Sequence, residues 1–299
     1  MKILTRGDMD GLTSTVFLTI AQSVTEMRFA HPKDVQDGKV KVDKDDIIVN
    51  LPFVPGCGMW FDHHVSEEHK LEKQGKFEGR FAVAPSAARV VYDHYKQHQK
   101  EFDKFTELLE ATDRLDSAHL TKDEVEKPTG WILLGLTLDP RTGLGPEFQK
   151  YFRWLADYIK EVPLAKILQH PEVKKRTDRV LKEQEDFKKL LQAHSKADGP
   201  IVITDLRGKK DLPVGNRFLI FAMFPQCNVE ARIFNGHAGQ VVIAAGSSIF
   251  NRTLNVNIGN LLAQYGGGGH AGAGTAQLAP DKAEGQLKEI LAKLKANKA

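Results

Sequence analysis

Asp62-His63-His64 closes the apolar run Met59-Trp60-Phe61. Upstream, Gly7-Asp8-Met9-Asp10-Gly11 follows the strand-like Lys2-Ile3-Leu4-Thr5, and downstream Asp113 follows a helical segment ending Leu108-Leu109-Glu110-Ala111. Near the C-terminus stands Gly266-Gly267-Gly268-Gly269-His270-Ala271. Carboxylates and imidazoles on the tips of different strands make a site for hard divalent cations, and a glycine-rich turn makes a site for phosphate. Together they suggest metal-assisted phosphoester hydrolysis.

Asp8 and Asp10, two apart on an irregular turn, can each reach a different cation, and Gly11 tolerates the tight bend before a helix. The same Asp-x-Asp-Gly spacing occurs in ordinary turns and helix caps, so the pair needs partners. His63 and His64 supply them. Neighbouring side chains on an extended chain diverge, so one imidazole is expected to bind metal while the other faces substrate. Asp62 is placed to fix a histidine tautomer. Asp113 reads as an N-cap, as an ion-pair partner of Arg114, or as the missing carboxylate of the cluster. The bare amides of Gly266–Gly269 would form an anion-binding nest, with His270 adding a donor and Arg252 a bidentate guanidinium. A flexible linker is the other reading of such a run.

These residues need rigid elements behind them. Lys2–Thr5, Glu26–Ala30, Asp46–Val49 and Gly58–Phe61 read as buried strands, and Gly11–Gln22 as the helix after the first. Strands alternating with helices predict a parallel sheet, in which ligands bind beyond the carboxyl ends of the strands. Asp8, Asn50 and Asp62 each lie at such an end. Pro85–Tyr95, Glu101–Ala111 and Trp131–Leu138 read as helices. From Ala165 to Ala197 a polar segment carries Val173, Val180, Phe187 and Leu191 at near-heptad spacing, one apolar stripe. Its Lys174, Lys175, Arg176, Arg179 and Lys182 resemble a nucleic-acid patch, but the acidic residues among them favour a solvated helix face. A second domain begins at Gly199-Pro200, with strands Ile201–Thr204, Val229–Phe234 and Gln240–Ala245. The last two are joined through the turn Asn235-Gly236, and the helix Asn257–Gln264 runs into the glycine segment.

The totals agree. A chain of 299 residues, 41% hydrophobic and 27% charged, is expected to fold as two globular domains, and a net charge of +3 argues for neither duplex DNA nor a membrane surface. Cys57 and Cys227, far apart, are expected to be small buried hydrophobes in a cytoplasmic protein. Met1–Arg6 turns to charge at once, unlike a signal peptide, and no apolar stretch reaches membrane-spanning length.

In this order the motifs resemble those of the DHH phosphoesterase family, in the branch with a C-terminal DHHA1 domain, which includes oligoribonuclease-like and exopolyphosphatase-related proteins. Asp8-Met9-Asp10-Gly11 matches the first motif, Asp62-His63-His64 the third, Asp113 the fourth, and Gly267-Gly268-Gly269-His270-Ala271 the DHHA1 signature. The resemblance implies an α/β fold: a parallel-sheet DHH domain with its helical linker over residues 1–190, and a smaller α/β DHHA1 domain with a mixed sheet over residues 199–299. It implies Mn2+ or Mg2+, with Asp10, His63 and Asp113 on one ion and Asp8 on a second. His64 would contact the scissile phosphate, while Arg252, Gly267, Gly268, Gly269 and His270 hold the rest of the substrate. The expected substrate is small and phosphorylated, a nucleotide or short oligonucleotide bound between the domains, and a homodimer is compatible with the pattern.

Two positions depart from the family pattern. Arg6 stands where a metal-ligating His or Asp is usual, and the strand Ile47-Ile48-Val49 ends in Asn50 where an aspartate usually bridges two ions. A full site offers about four carboxylates to two cations; this one offers Asp8, Asp10 and Asp113, with a guanidinium nearby. Unit charges ~4 Å apart already repel by ~4 kcal/mol at an effective dielectric of ~20, so a second ion is expected to be weak or absent before substrate arrives. Arg6 then becomes a candidate catalytic phosphate clamp, and Asn50 a weak neutral ligand. The expected activity is metal-dependent phosphoester hydrolysis. The alternatives are an inorganic polyphosphate or pyrophosphate hydrolase, and a nucleotide-binding regulatory module that has lost turnover.

Overall fold

The computed structural model describes residues 1–68, 77–140, 143–210 and 212–298. The chain forms two compact units. One comprises Met1–Leu120 with Pro128–Asp178, the other Thr121–Lys127 with Arg179–Ala299.

In the first unit, β1 (Lys2–Thr5), β2 (Glu26–Phe29), β3 (Asp46–Val49), β4 (Met59–Asp62) and β5 (Gly79–Phe81) form a sheet in the order β2-β1-β3-β4-β5. Every pairing is parallel. Short runs such as Ile47-Ile48-Val49 and Trp60-Phe61 are apolar at consecutive positions because both faces of the sheet are covered. Ile3, Ile47, Val49 and Phe61 point to one side, into a large core with the helices α1 (Met9–Ala21), α4 (Ala87–Tyr95), α5 (Thr106–Asp116) and α8 (Pro146–Glu161). Leu4, Ile48 and Trp60 point to the other, into a smaller core with Ala30, Val35 and Leu51. Between α1 and α4 lie α2 (Pro32–Gln36) and α3 (Val65–Glu68). The chain leaves β1 to pair β2 on one flank and returns to pair β3 on the other. The carboxyl ends of β1 and β3 therefore meet at a topological switch point, where such sheets bind ligands.

Two expected boundaries move. α1 begins at Met9, so Asp10 lies in its first turn. The helix expected to end at Ala111 runs on to Asp116, and Asp113 lies inside it rather than beyond it. After α6 (Lys122–Glu126), α7 (Gly130–Leu136) and α9 (Leu164–Gln169), the 24-residue α10 (Pro171–His194) follows. The boundary between the units falls within it, after Asp178. Ion pairs one turn apart, Lys174 with Asp178 and Arg176 with Glu172, make its basic run a solvated, charge-balanced face.

The second unit holds β6 (Ser195–Asp198), β7 (Ile201–Asp205), β8 (Val229–Asn235), β9 (Val241–Ser247), β10 (Gly268–His270) and β11 (Ala273–Leu278). They form a mixed sheet in the order β10-β11-β9-β8-β7-β6, antiparallel except between β7 and β8. With them come α11 (Leu219–Met223), α12 (Ile258–Ala263) and α13 (Ala283–Ala296). Ile201, Val229, Ile243, Leu262, Leu287 and Ile290 centre its core. Both cysteines are free, Cys227 buried and Cys57 half-buried. Among the described residues, no helix is long and apolar enough to cross a membrane.

Candidate metal centre

Asp8 caps α1, its Oδ1 accepting from the Gly11 amide at 2.9 Å. Gly11 is required by close approach: a Cβ there would lie 2.0 Å from the Arg6 carbonyl oxygen. The same Asp8 oxygen accepts from Asn50 Nδ2 at 3.0 Å, and its Oδ2 lies 3.0 Å from Arg6 Nε. Asn50, at the tip of β3, is buried in a left-handed conformation (φ 57°) that asparagine tolerates better than most residues.

Asp10 has a different environment. It is fully buried, and its two oxygens accept the amides of Ala87 (2.9 Å) and Ala88 (2.7 Å) at the start of α4. Ser86 caps that helix, and its hydroxyl donates to Asp113 Oδ1 at 2.6 Å. Arg89 closes on the other Asp113 oxygen, with Nε at 2.9 Å. Asp113, expected at the metal, is thus engaged by Ser86 and Arg89. The carboxylate near Asp10 and His63 is that of Asp116, one turn further along α5. α1 and α5 run antiparallel, with Thr13 Oγ1 2.7 Å from Thr112 Oγ1, and this sets the first turn of one beside the last turn of the other.

His63 and His64 leave the tip of β4 with ring centroids 4.3 Å apart, yet make different bonds. His63 Nδ1 lies 3.0 Å from the Ala84 carbonyl oxygen, which only accepts, so Nδ1 carries the proton. Its buried Nε2 has no hydrogen-bond partner and lies 3.2 Å from Asp116 Oδ2 and 3.7 Å from Asp10 Oδ2. His64 Nδ1 lies 2.8 Å from Asp62 Oδ1, so Asp62 orients the second imidazole. Asp62 with both histidines forms a second compact trio, in which Oδ1 of Asp62 is engaged by His64 and the buried Oδ2 has no hydrogen-bond partner.

A lone pair on His63 Nε2 aimed at two carboxylates is repulsive without a proton or a cation between them. Burial pushes the Asp10 carboxyl up from 3.8 to about 7, and the Asp8 charge adds to that against the pull of the two amides. Burial, then the charge of Asp10, pushes Asp116 up to about 7 as well. Asp116 also ends α5, where the helix dipole disfavours a negative charge. With a quarter of its side chain still exposed, it is the softer of the two. For His64, burial works to lower the pKa, but the Asp62 hydrogen bond and charge outweigh it and raise it to about 9. The donors fit a small divalent ion. Octahedral ligands at ~2.1 Å stand about 3 Å apart, close to the spacings here, and a neutral imidazole with buried carboxylates is a suitable set for Mn2+ or Mg2+. Asp8, Asp10, Asp116 and Asp139 face a cavity of about 180 Å³ walled by Leu115 and Leu138.

In the second unit the glycine segment is an edge strand. Gly269 pairs Gly274 of β11. A Cβ on Gly267 would lie 2.2 Å from the Thr275 carbonyl oxygen, and one on Gly269 2.2 Å from that of Ala273. Gly259 of α12 packs directly on the Gly269 backbone. Close backbone approach therefore explains these glycines, while the Cβ position of Gly268 is open. His270 and Arg252 are exposed, and Arg252 Nε donates to the Ile249 carbonyl at 3.1 Å.

Sequence reasoning thus assembles Asp10 with His63 and Asp62 with His64, and misses Asp116, Ser86 and Arg89. Asp116 lay within reach, since a helix extended by a turn and a half past Ala111 carries it beside Asp113.

The fold and much of the sequence are shared with a known enzyme. The chain is 39% identical to the pGpG-specific phosphodiesterase PggH from Vibrio cholerae, over 99% of each chain, with a TM-score of 0.87. A solved DHH domain, described as coming from a member of a family of ribosomal proteins, matches all of this chain and 87% of its own, at 14% identity and a TM-score of 0.60. RecJ from Thermus thermophilus in complex with Mn2+ matches 98% of this chain and 52% of its own, at 12% identity and a TM-score of 0.55. The last two show the fold alone. No family model and no curated protein matches the chain.

Proposed function

The chain belongs to the DHH phosphoesterase family, and from that premise we propose that it hydrolyses the phosphodiester bond of a short linear oligonucleotide, pGpG being the first substrate to test. It is a hydrolase of phosphoesters; the substrate and the roles of residues are the proposal. One observation carries it: the buried Nε2 of His63, without a hydrogen-bond partner, faces Asp10 and Asp116.

Asp10, His63 and Asp116 would hold Mn2+ or Mg2+, which lowers the pKa of a water and neutralises phosphoryl oxygens. Asp10 is fixed by two amides and cannot rotate away, and the Ala84 carbonyl fixes the ring of His63. His64, held as an imidazolium by Asp62, donates from Nε2 to the scissile phosphate. Hydrolysis joins the water oxygen to phosphorus, breaks the bond from phosphorus to the leaving nucleoside oxygen, and delivers a proton to that oxygen. We assign that delivery to His64. Within the second unit, the exposed Arg252 and His270 and the open Gly268 are assigned to phosphate binding.

Purified protein with Mn2+ is expected to convert pGpG to two mononucleotides, at a rate that Asp10→Ala abolishes. Release of phosphate from inorganic polyphosphate with pGpG untouched overturns the substrate assignment.

A further inference from the structure

We infer that this centre holds a single resident divalent cation, and that Arg6, with Asn50, occupies the place where a second would sit. The inference rests on the metal-dependent reading above and goes beyond it, since that reading is indifferent to the number of ions.

A second cation beside the first needs a carboxylate free to reach it and a ligand able to bridge. Neither is present. Asp8 Oδ1 already accepts two donors, the Gly11 amide and Asn50 Nδ2, and Oδ2 is ion-paired with the Arg6 guanidinium, whereas each oxygen of Asp10 accepts a single amide and keeps a lone pair for an ion. Asn50 turns its Nδ2 toward Asp8, and the assignment is firm because Asp8 Oδ1 can only accept. An N–H group cannot ligate a cation, and the single oxygen left on Asn50 carries no charge with which to bridge two. The positive charge needed opposite Asp8 is already supplied by Arg6, whose side chain is 35% exposed. Buried atoms without a hydrogen-bond partner occur on both sides, but those beside Asp8 are Arg6 Nε, which is a cation's own N–H, and the neutral Asn50 Oδ1, whereas the trio of Asp10, His63 and Asp116 keeps an imidazole lone pair among carboxylates. One half of the site asks for a cation, and the other has its cation covalently attached.

The chemistry follows from this difference. A guanidinium presents planar, paired N–H donors and suits two oxygens of one phosphate, whereas a metal ion would also activate a water. Arg6 therefore binds and orients the phosphate, and activation of the water belongs to the Asp10–His63–Asp116 side alone. Arg6 is a substrate-binding residue whose loss is read in KM.

The test is metal stoichiometry without substrate. Protein dialysed against excess Mn2+, then desalted, is expected to carry one manganese per chain by elemental analysis. Its electron paramagnetic resonance spectrum is expected to show isolated, uncoupled Mn2+. Arg6→His with Asn50→Asp is expected to take up a second manganese and to show exchange coupling. Asn50→Asp alone, nearly isosteric, should show the same gain at higher Mn2+ and serves if the double variant does not fold. Arg6→Met is expected to raise KM at least tenfold with manganese content unchanged. Two coupled manganese ions in the wild-type protein, none at all, or no change in KM on Arg6→Met overturns the inference. These readouts separate the two readings. One bound manganese with pGpG uncleaved removes the proposed substrate and leaves the ion count; cleavage of pGpG with two coupled ions does the reverse.

Discussion

Asp113 and Asp116 stand one turn apart at the end of α5 and have different partners: Arg89 and Ser86 close on the first, while the second lies 3.2 Å from His63 Nε2. Asp116→Asn should therefore lower Mn2+ affinity by two orders of magnitude or more while leaving the ion-free protein at least as stable, because a repelled carboxylate is removed. Asp113→Asn should act the other way. It leaves Arg89 partly buried without its charge partner and should cost roughly 2–4 kcal/mol of stability, with Mn2+ affinity changed less than tenfold. Isothermal titration with Mn2+ and chemical denaturation of both variants check the assignment.

Stability and metal binding should be linked through pH. Asp10 and Asp116 have folded-state pKa values raised from 3.8 to about 7. Between those values the unfolded chain gives up protons that the ion-free fold retains, so the ion-free protein loses stability as pH rises through the window of about 4 to 7. A bound cation displaces those protons, and its affinity rises over the same range. The increase in melting temperature on adding Mn2+ should therefore be larger at pH 8 than at pH 6. An equal increase at both would show that these carboxyls do not hold the ion.

His64 should govern the alkaline side of the activity profile. Its pKa is raised to about 9, so the imidazolium and the ion pair with Asp62 persist through neutral pH and are lost as pH rises through that value. kcat/KM with Mn2+ should fall above about pH 9. His64→Gln should lower kcat by 10²–10⁴ and abolish that limb, whereas a variant that merely misfolded would keep the limb at reduced amplitude. Asp62→Asn should shift the limb to lower pH.

Much of the first unit was legible because its determinants are local. Runs such as Ile47-Ile48-Val49 announce buried strands, and Asp-Gly or Asp-His-His directly after one announces a functional tip. What escaped depended on tertiary context. Nothing after Ala111 breaks a helix until Ser117, whose hydroxyl donates back to the Asp113 carbonyl, so the true end of α5 had no glycine or proline to mark it. The glycine segment has poor strand propensity and reads as a loop. It becomes β10 because bare backbones there can approach β11 and Gly259 more closely than any side chain allows. β6, exposed at every second position, polar at all but Ala197 and at an edge of its sheet, merged into the polar run before it. Arg6 and Asn50 were conspicuous as departures from a pattern, but their shared hold on Asp8 required coordinates.

The Asn50 amide bonded to Asp8 also has an evolutionary meaning. Asparagine and aspartate codons differ by a single base, and the two side chains have almost the same shape, so the left-handed tip of β3 can carry either without remodelling the sheet. A lineage could thus exchange one cofactor requirement for another in a single heritable step while its scaffold stayed constant, and overall sequence identity would not register the change.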